Sequence, residues 1–440
     1  MPFSEKFRAN RKHYIASAVL ILVSVMILSW TWWKAPVRQV QHQASQWARP
    51  AVAATDVVPS SFEEAWRFAG DGDEASAPII PLVVEGVAVI SDANGVTAVD
   101  TQDGTIAWSY HRDLPLCTAM VSNGRVVAVF EGEAGCGEAT SIDAETGEYH
   151  ATRRSMIDGA VAPVRSNDNT GIISKDYVEI WRGDLVNNLE YGKIPASSEP
   201  DVQPHPGCTI ADAMVRKNNT VIVNNCPDGH RLVFQSTDPE ESQEPEIGAD
   251  VPLAGPARLA VVGQKGAVVR IGDELITYDL AGKETSRTHA AATQPASAFV
   301  APSAASTADL PHHMTWFSGT DVLAFRPNSL ELAFTVPHAI GTPAAVGDRV
   351  LVPVHEGIAV VDPTNGAVER TIPVHRDGTA GPIVLAVSGD ILVEKRGNQL
   401  FGLRMVADAA PIENAVPIEE TAAGDVPAVA VPTEEAVPKF

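Results

Sequence analysis

The stretch Gly86–Tyr110, GVAVISDANGVTAVDTQDGTIAWSY, decides the fold of this chain. It contains three short alternating runs, Val87–Ile90, Val96–Val99 and Thr105–Trp108, separated by Asp-Ala-Asn-Gly and Asp-Thr-Gln-Asp-Gly. Apolar alternation that is interrupted by Asp, Asn and Gly is typical of strands joined by tight hairpins. The stretch therefore predicts a three-stranded meander.

The residues between these runs are suited to turns. Gly95 and Gly104 are expected to supply the positive φ of the two hairpins. Asp92, Asp100 and Asp103 are expected to accept hydrogen bonds from turn amides, because calcium loops would need alternating oxygen ligands and a late Glu that the stretch lacks.

The pattern of the opening stretch recurs along the chain. The middle strands of eight such units centre near Ala98, Ile142, Glu179, Val233, Thr277, Ala324, Val360 and Gly402. Successive centres are 36 to 54 residues apart, and a four-stranded propeller blade takes about 40–50 residues. The chain is therefore predicted to be an all-β propeller of eight four-stranded blades, with seven blades as the alternative.

The last repeat is incomplete, and the start of the repeat region can complete it. Gly389–Arg404 has two strands and then stops, whereas Ser61–Gly70, SFEEAWRFAG, precedes the first full unit. A ring closed by strands from both ends of the chain has no open sheet edge that could aggregate. We expect Ser61–Gly70 to be the outer strand of the last blade, with Trp66 as a packing residue.

The N-terminal region contains one apolar segment. Ile15–Trp33 is an uncharged run of 19 residues, long enough to cross a hydrocarbon core of about 30 Å. Arg11 and Lys12 belong to a basic cluster before it, and the tryptophans at its end suit a membrane interface. We expect a single-pass anchor in the cell membrane with a cytoplasmic N-terminus; a cleaved signal peptide is the rival, but no small-x-small site directly follows the run.

These signals divide the chain into five parts. They are a cytoplasmic segment at 1–14, a transmembrane helix at 15–33, a stalk or linker at 34–60, the propeller at 61–405, and a disordered acidic Ala/Pro-rich tail at 406–440. The net charge of −23 should repel nucleic acid and anionic lipid surfaces, so nucleic acid is not an expected partner.

Four cysteines follow the predicted membrane segment. Cys117 and Cys136 are 19 residues apart, Cys208 and Cys226 are 18 apart, and each pair flanks a comparable predicted strand. The simplest of the three connectivities joins Cys117 to Cys136 and Cys208 to Cys226, as disulfides of an extracytoplasmic protein. Zinc is the alternative, but it favours a close Cys-x-x-Cys spacing that the chain lacks.

The repeat resembles that of the pyrroloquinoline-quinone-binding-like β-propellers. The resemblance is carried by Ala98-Val99-Asp100 with Asp103-Gly104 and Trp108, by Ser141-Ile142-Asp143 with Thr146-Gly147, and by Val360-Val361-Asp362 with Asn365-Gly366. This family includes quinoprotein alcohol dehydrogenases and the lipoprotein scaffold of the outer-membrane-protein assembly machine, and anchored members of unknown function occur in actinobacterial envelopes. The resemblance implies a blade type rather than an activity.

Catalysis is not expected from the motifs present. The chain has no vicinal Cys-Cys pair and no residues that match the calcium set or catalytic aspartate of the quinoproteins. No catalytic, cofactor-binding or metal residue is therefore predicted, and no cofactor. Metal pairs would require His312 or His313 to meet His289, or His355 to meet His375, and neighbouring residues on a strand point to opposite faces.

The sequence therefore predicts an interaction or assembly scaffold of the cell envelope, anchored by its helix and binding envelope or membrane proteins. A small-molecule or glycan sensor that uses the mouth of the central channel is the alternative, and a quinone-dependent oxidoreductase is a third possibility. The tryptophans at predicted strand positions are expected to pack between blades rather than to stack on a ligand. They are Trp66, Trp108, Trp181 and Trp316.

Overall fold

A computed structural model gives the structure of the chain. It describes residues 10–35, 38, 40–45, 51–70, 79–157, 159–166, 168–195, 197–198, 201–290, 306–376 and 381–407. The predicted tail, apart from its first two residues, and most of the predicted cytoplasmic segment lie outside the described residues.

The N-terminal apolar run forms a helix, α1 (Arg11–Trp33), which is exposed along its whole length. Its length and composition would allow it to cross a membrane or to act as a signal sequence. Two strands precede the first blade, namely β1 (Gln41–Gln43) and β2 (Ser61–Ala69).

The remaining strands build eight sheets, numbered as blades 1 to 8. Blade 1 has β3 (Val83–Val84), β4 (Val87–Ser91), β5 (Gly95–Asp100) and β6 (Ile106–His111). Blade 2 has β7 (Leu116–Ser122), β8 (Arg125–Gly132), β9 (Gly135–Asp143) and β10 (Tyr149–Arg154). Blade 3 has β11 (Ala162–Arg165), β12 (Asn169–Ile173), β13 (Tyr177–Arg182) and β14 (Asn187–Gly192). Blade 4 has β15 (Thr209–Arg216), β16 (Asn219–Cys226), β17 (Gly229–Ser236) and β18 (Ile247–Leu253).

The second half of the ring follows the same plan. Blade 5 has β19 (Ala257–Gly263), β20 (Gly266–Ile271), β21 (Glu274–Asp279) and β22 (Glu284–His289). Blade 6 has β23 (Thr307–Asp309), β24 (Met314–Phe317), β25 (Val322–Phe325) and β26 (Leu332–Val336). After β27 (Gly341–Thr342), blade 7 has β28 (Ala344–Val346), β29 (Arg349–Val354), β30 (Gly357–Val361) and β31 (Val368–Pro373). Blade 8 has β32 (Ile383–Ser388), β33 (Ile391–Arg396) and β34 (Gln399–Val406).

The eight-bladed propeller predicted from the sequence is confirmed, and the alternative of seven blades is wrong. Each of the eight predicted centres lies in the third strand of its blade. First strands of neighbouring blades contact one another on the inner side of the ring, as β7 and β11, β11 and β15, β15 and β19, and β28 and β32 do. The core consists of apolar layers between neighbouring blades; one layer joins Val89 and Trp108 of blade 1 to Val126 and Phe130 of blade 2.

Blade 8 is closed by the N-terminal strand, as predicted. β2 pairs antiparallel with β34, from Ser61 opposite Val406 to Ala69 opposite Gln399. β27 adds a short parallel pairing to β32 on the opposite, inner side of the same sheet. The outermost and innermost positions of the last blade are therefore supplied by segments distant in sequence.

A repeated contact joins one blade to the next. Trp108 in β6 is fully buried and its Nε1–H donates to the carbonyl oxygen of Ala144 in blade 2 at 2.9 Å. Trp66 in β2 makes the same bond to Thr101 of blade 1, also at 2.9 Å. Each ring lies on a turn glycine with positive φ, Gly104 under Trp66 and Gly147 under Trp108, where a Cβ would meet the ring. The predicted packing role of these tryptophans follows from that geometry, and Trp181 and Trp316 are buried as well.

The turn aspartates of the opening stretch cap backbone amides. Asp92 accepts from the N–H of Asn94 at 2.8 Å, and Asp100 and Asp103 make equivalent bonds two residues on. Gly104 has the expected positive φ, but Gly95 does not. Gly95 is required for a different reason, because a Cβ there would lie 2.3 Å from the carbonyl oxygen of Tyr110 in β6.

The segment expected to be a linker, residues 34–60, is partly built into the propeller. Gln41–Gln43 form β1, which pairs antiparallel with β6 and makes blade 1 five-stranded. Residues 51–60, which we name the strap, cross turns between the first and second strands of three blades. Val52 lies over Gly86 and Gly389, and Asp56 lies over Gly347. The outer strand of a blade has unpaired backbone groups, and β1 satisfies those of β6.

Candidate functional site

A groove of about 780 Å³ lies between blades 1 and 2. One wall comes from β1 and β6, and the other comes from β9 and β10. Its lining residues are Val40, His42, Tyr110, Arg112, Glu138, Ala139, Thr140, Tyr149, Thr152, Arg153 and Arg154. The wall on the side of blade 1 would be incomplete without β1, so this groove exists because the chain after α1 folds back onto the propeller.

His42 fixes β1 to both blades. It lies opposite Tyr110 in the register of β1 and β6, and the two rings meet edge to face with centroids 5.6 Å apart. Its Nε2 lies 2.6 Å from the carbonyl oxygen of Gly147 in blade 2. A carbonyl oxygen only accepts, so Nε2 carries the proton and donates to it. The imidazole thus joins blade 1 to blade 2 beside the groove.

Two arginines share one carboxylate across the groove. Arg112 Nη2 donates to Glu138 Oε2 at 2.6 Å and Arg154 Nη2 donates to Glu138 Oε1 at 2.8 Å. Arg112 also lies over the Phe130 ring, with its guanidinium carbon 5.1 Å from the centroid. The side chain of Arg112 is 13% exposed and that of Arg154 is 74% exposed. Arg154 can therefore change partners freely, whereas Arg112 is held in place.

Arg153, on the outer strand of blade 2, forms an ion pair with one of two adjacent buried glutamates of blade 3, Glu179 and Glu190. Its Nε donates to Glu179 Oε1 at 2.6 Å, and the Glu179 side chain is 1% exposed. Glu190 lies directly opposite Glu179 on the next strand, and accepts hydrogen bonds from the Tyr177 hydroxyl and from Gln243. Burial and then the charges of Glu179 and Glu190 raise the pKa of Tyr177 far above its usual value, so its hydroxyl is a donor at any physiological pH.

The lining of the groove is rich in positive charge. It carries three arginines and one carboxylate, Glu138, in a protein whose net charge is −23, whereas the buried carboxylates Glu179 and Glu190 lie outside the lining. Tyrosine and arginine dominate the binding energy of protein interfaces, because they combine large apolar area with directional hydrogen bonds. Tyr149 is 53% exposed at the rim. The groove is suited to an extended segment that carries both an acidic group and an apolar side chain.

The four cysteines form two disulfides, Cys117–Cys136 and Cys208–Cys226. These are the pairs of sequence neighbours that the spacing favours, and no cysteine remains as a zinc ligand. Their placement differs between the blades, because Cys136 follows the hairpin after β8 whereas Cys226 precedes the equivalent turn in blade 4. The first disulfide therefore joins β7 to β9 across β8, and the second joins the residue before β15 to the end of β16.

The histidines considered as metal ligands are dispersed. His289 ends β22 in blade 5, and His312 and His313 immediately precede the second strand of blade 6. His355 lies between the second and third strands of blade 7, and His375 follows its outer strand. His312 and His313 line a shallow cavity of about 450 Å³ beside blade 7. Within the described part of the chain, no three His, Cys, Asp or Glu side chains are grouped so that they could hold a metal ion.

The chain is an eight-bladed β-propeller with an apolar N-terminal helix and a groove between its first two blades. Residues 50–184 match the family model described as outer membrane protein assembly factor BamB. The match covers fewer than half of the 440 residues, and together with the blade architecture it supports the resemblance to propellers with PQQ-like repeats. No curated protein matches the sequence.

Several solved propellers have a similar fold at low sequence identity. Dihydro-heme d1 dehydrogenase NirN is 10% identical, with 82% of each chain covered and a TM-score of 0.49. AztD of Citrobacter koseri is 13% identical, with 70% of this chain and 87% of that chain covered and a TM-score of 0.44. The C-terminal WD40 domain of Sif2 is 10% identical, with 80% and 100% covered and a TM-score of 0.48. Similarities at this level do not inform function.

Proposed function

We propose that this protein is a membrane-anchored, extracytoplasmic scaffold of the cell envelope that binds segments of other envelope proteins in the groove between blades 1 and 2. The observation that carries the proposal is the groove itself, a cleft walled by Tyr and Arg side chains and completed by the strand that follows the helix. Such a lining is typical of protein recognition. The description of the matched family as an assembly factor supports the same class of function.

The proposed orientation depends on charge and cysteine chemistry. Arg11 and Lys12 open α1, and the residues before it add Lys6 and Arg8, whereas Lys34 and Arg38 follow it. An excess of positive charge on one flank favours the cytoplasmic side. Both disulfides follow the helix, and disulfides persist in oxidising compartments.

The short connection after the helix limits how far the groove can be from the membrane. Trp33 ends α1 and Gln41 begins β1, and an extended chain of this length spans at most about 28 Å. The edge of blade 1 is therefore held close to the end of the helix. Partners that reach the groove should be membrane proteins or proteins bound at the membrane surface.

Site-specific photo-crosslinking in membranes tests the groove. A photoreactive phenylalanine analogue at Tyr149 should give a discrete crosslinked partner, and the same analogue at Val368, an exposed position on the outer strand of blade 7, should not. The Tyr149 product should be lost in an Arg112→Ala, Arg154→Ala background. A product that survives this double substitution, or that forms equally from Val368, would contradict binding in the groove.

The orientation has its own test, independent of any partner. Single cysteines at Asn10, before α1, and at Ser329, on an exposed turn of blade 6, can be labelled in intact cells with a membrane-impermeant maleimide. We expect Ser329→Cys to react from outside and Asn10→Cys to react only after permeabilisation. The opposite pattern, or a product cleaved after the helix, would refute the anchored topology.

A further inference from the structure

A third, smaller cavity lies where the inner strands of four successive blades end. It has a volume of about 30 Å³ and is lined by residues of blades 3, 4, 5 and 6. Arg165 is the last residue of β11, Arg216 the last of β15, and Asp309 the last of β23. Each inner strand runs from the same side of the ring to its turn, so the three side chains meet at one mouth of the central channel.

The charges at this mouth are unequal. Arg216 Nη1 donates to Asp309 Oδ2, which balances one pair. Arg165 adds a second guanidinium, and among the described residues its Nε has no hydrogen-bond partner. The cavity is thus lined by two cations and one anion. Arginine is rarely left without a partner inside a protein, because taking its charge out of water is costly.

The pKa of Arg165 also indicates that negative charge is lacking around its guanidinium. Burial within the channel lowers the pKa of its guanidinium to about 10, with Asp309 opposing the change and Arg216 adding to it. The residue as a whole is half-buried. At neutral pH the group remains charged in a place that disfavours the charge, and a bound anion would relieve that cost.

We propose that Arg165 and Arg216 form a binding site for a small carboxylate at this mouth of the channel. A guanidinium presents two parallel N–H groups to the two oxygens of a carboxylate, and the unpartnered Nε belongs to such an edge. A water-sized sphere needs about 10–15 Å³ of such volume, so the cavity has room for two oxygen atoms. A tetrahedral phosphate would need more space.

The two arginines end the first strands of consecutive blades in different registers. Arg165 lies opposite Thr170, whereas Arg216 lies opposite Asn219 at the turn itself. The valines that precede them, Val164 and Val215, both belong to the apolar layer between blades 3 and 4. The two arginines are brought together by the cavity that both of them line.

Formate is a suitable probe, since it is a carboxylate with no bulk beyond its two oxygens. Titration calorimetry of the full chain in detergent micelles, at constant ionic strength, should show saturable binding of sodium formate and none of sodium chloride. Arg165→Gln should weaken formate binding about tenfold or more, as expected for loss of a charge-assisted pair. Arg165→Lys keeps the positive charge but loses the two parallel N–H groups, so it should give an intermediate affinity.

The matched control is Arg182→Gln, which removes an exposed arginine of the same blade that pairs with Asp184 at the surface. It should bind formate as the wild type does. Circular dichroism establishes that each variant is folded. The proposal is overturned if the wild type binds no formate, if chloride binds equally well, or if folded Arg165→Gln and Arg165→Lys both retain wild-type affinity.

Discussion

Trp66 is the residue on which the closure of the ring can be tested most directly. Its side chain is 7% exposed and lies between two glycines, Gly402 of β34 and Gly104 of blade 1. Its indole N–H donates to the carbonyl oxygen of Thr101 at 2.9 Å. Trp66→Ala removes the contact that joins the last blade to the first, and it leaves that carbonyl without its donor.

The expected cost can be divided between packing and hydrogen bonding. Replacing a buried aromatic side chain by alanine costs about 3–5 kcal/mol of unfolding free energy, a large part of the roughly 5–15 kcal/mol that stabilises a typical domain. Trp66→Phe keeps most of the ring and loses the N–H, so it should cost about 1–2 kcal/mol. Trp108→Ala should match Trp66→Ala, because Trp108 makes the same contacts between blades 1 and 2.

Urea unfolding of the full chain under non-reducing conditions, followed by far-UV circular dichroism, measures these differences. Tyr149→Ala, at a position that is 53% exposed, is the control and should change the free energy by less than about 0.5 kcal/mol. If Trp66→Ala costs less than about 1 kcal/mol while Trp108→Ala costs several, the N-terminal strand does not close the ring as described.

Three further perturbations follow from the contacts. Cys117→Ser with Cys136→Ser should lower the unfolding free energy by about 3 kcal/mol, because the disulfide closes a loop of 19 residues in the unfolded chain; urea unfolding measures it. Burial raises the pKa of Asp92, but hydrogen bonds from His111 and from backbone N–H groups lower it further, so its net pKa is below the usual value. Asp92 therefore contributes stability above about pH 4 that is lost as the pH falls, and Asp92→Asn should flatten the acid limb of the melting temperature. Burial lowers the pKa of Lys395 to about 8. The unfolded chain then binds more protons between pH 8 and 10, so stability should rise with pH over that range and stay level in Lys395→Met.

Each of these outcomes can be contradicted. Equal stability of the serine variant and of the oxidised wild type would mean that the first disulfide does not constrain the unfolded chain. An acid limb that is unchanged in Asp92→Asn would exclude the His111 contact as its source. An alkaline slope that persists in Lys395→Met would assign it to another group.

The blades could be predicted because their signal is local. Alternation and turn residues lie within one repeat, and each predicted centre, such as Ala98 or Gly402, falls in a third strand. The closing strand could also be predicted from the sequence, because an incomplete last repeat requires a partner. The strand β1 could not be predicted, since Gln41–Gln43 has neither alternation nor apolar residues. Its pairing is decided by the free edge of β6, which exists only after blade 1 has formed.

The groove and the channel site depend on contacts that no single repeat contains. Arg112 and Glu138 come from neighbouring blades, and Arg153 reaches a carboxylate in a third. A Val-Arg dipeptide precedes the turn in both blade 3 and blade 4, but the two stand in different registers, so the repeat does not predict the channel site. The site exists only because the folded ring brings Arg165, Arg216 and Asp309 of blade 6 to one cavity.

The pairing of β2 with β34 also sets the order of events during synthesis. Ser60 and Val406, which bond at the end of this pairing, are 346 residues apart. Contacts of such separation form late, because the chain entropy of the intervening loop must be overcome first. The N-terminal strand leaves the ribosome long before its partner exists, so the ring stays open until the final blade emerges. A chaperone that shields the exposed edge of β2 during that interval would protect the nascent protein from aggregation.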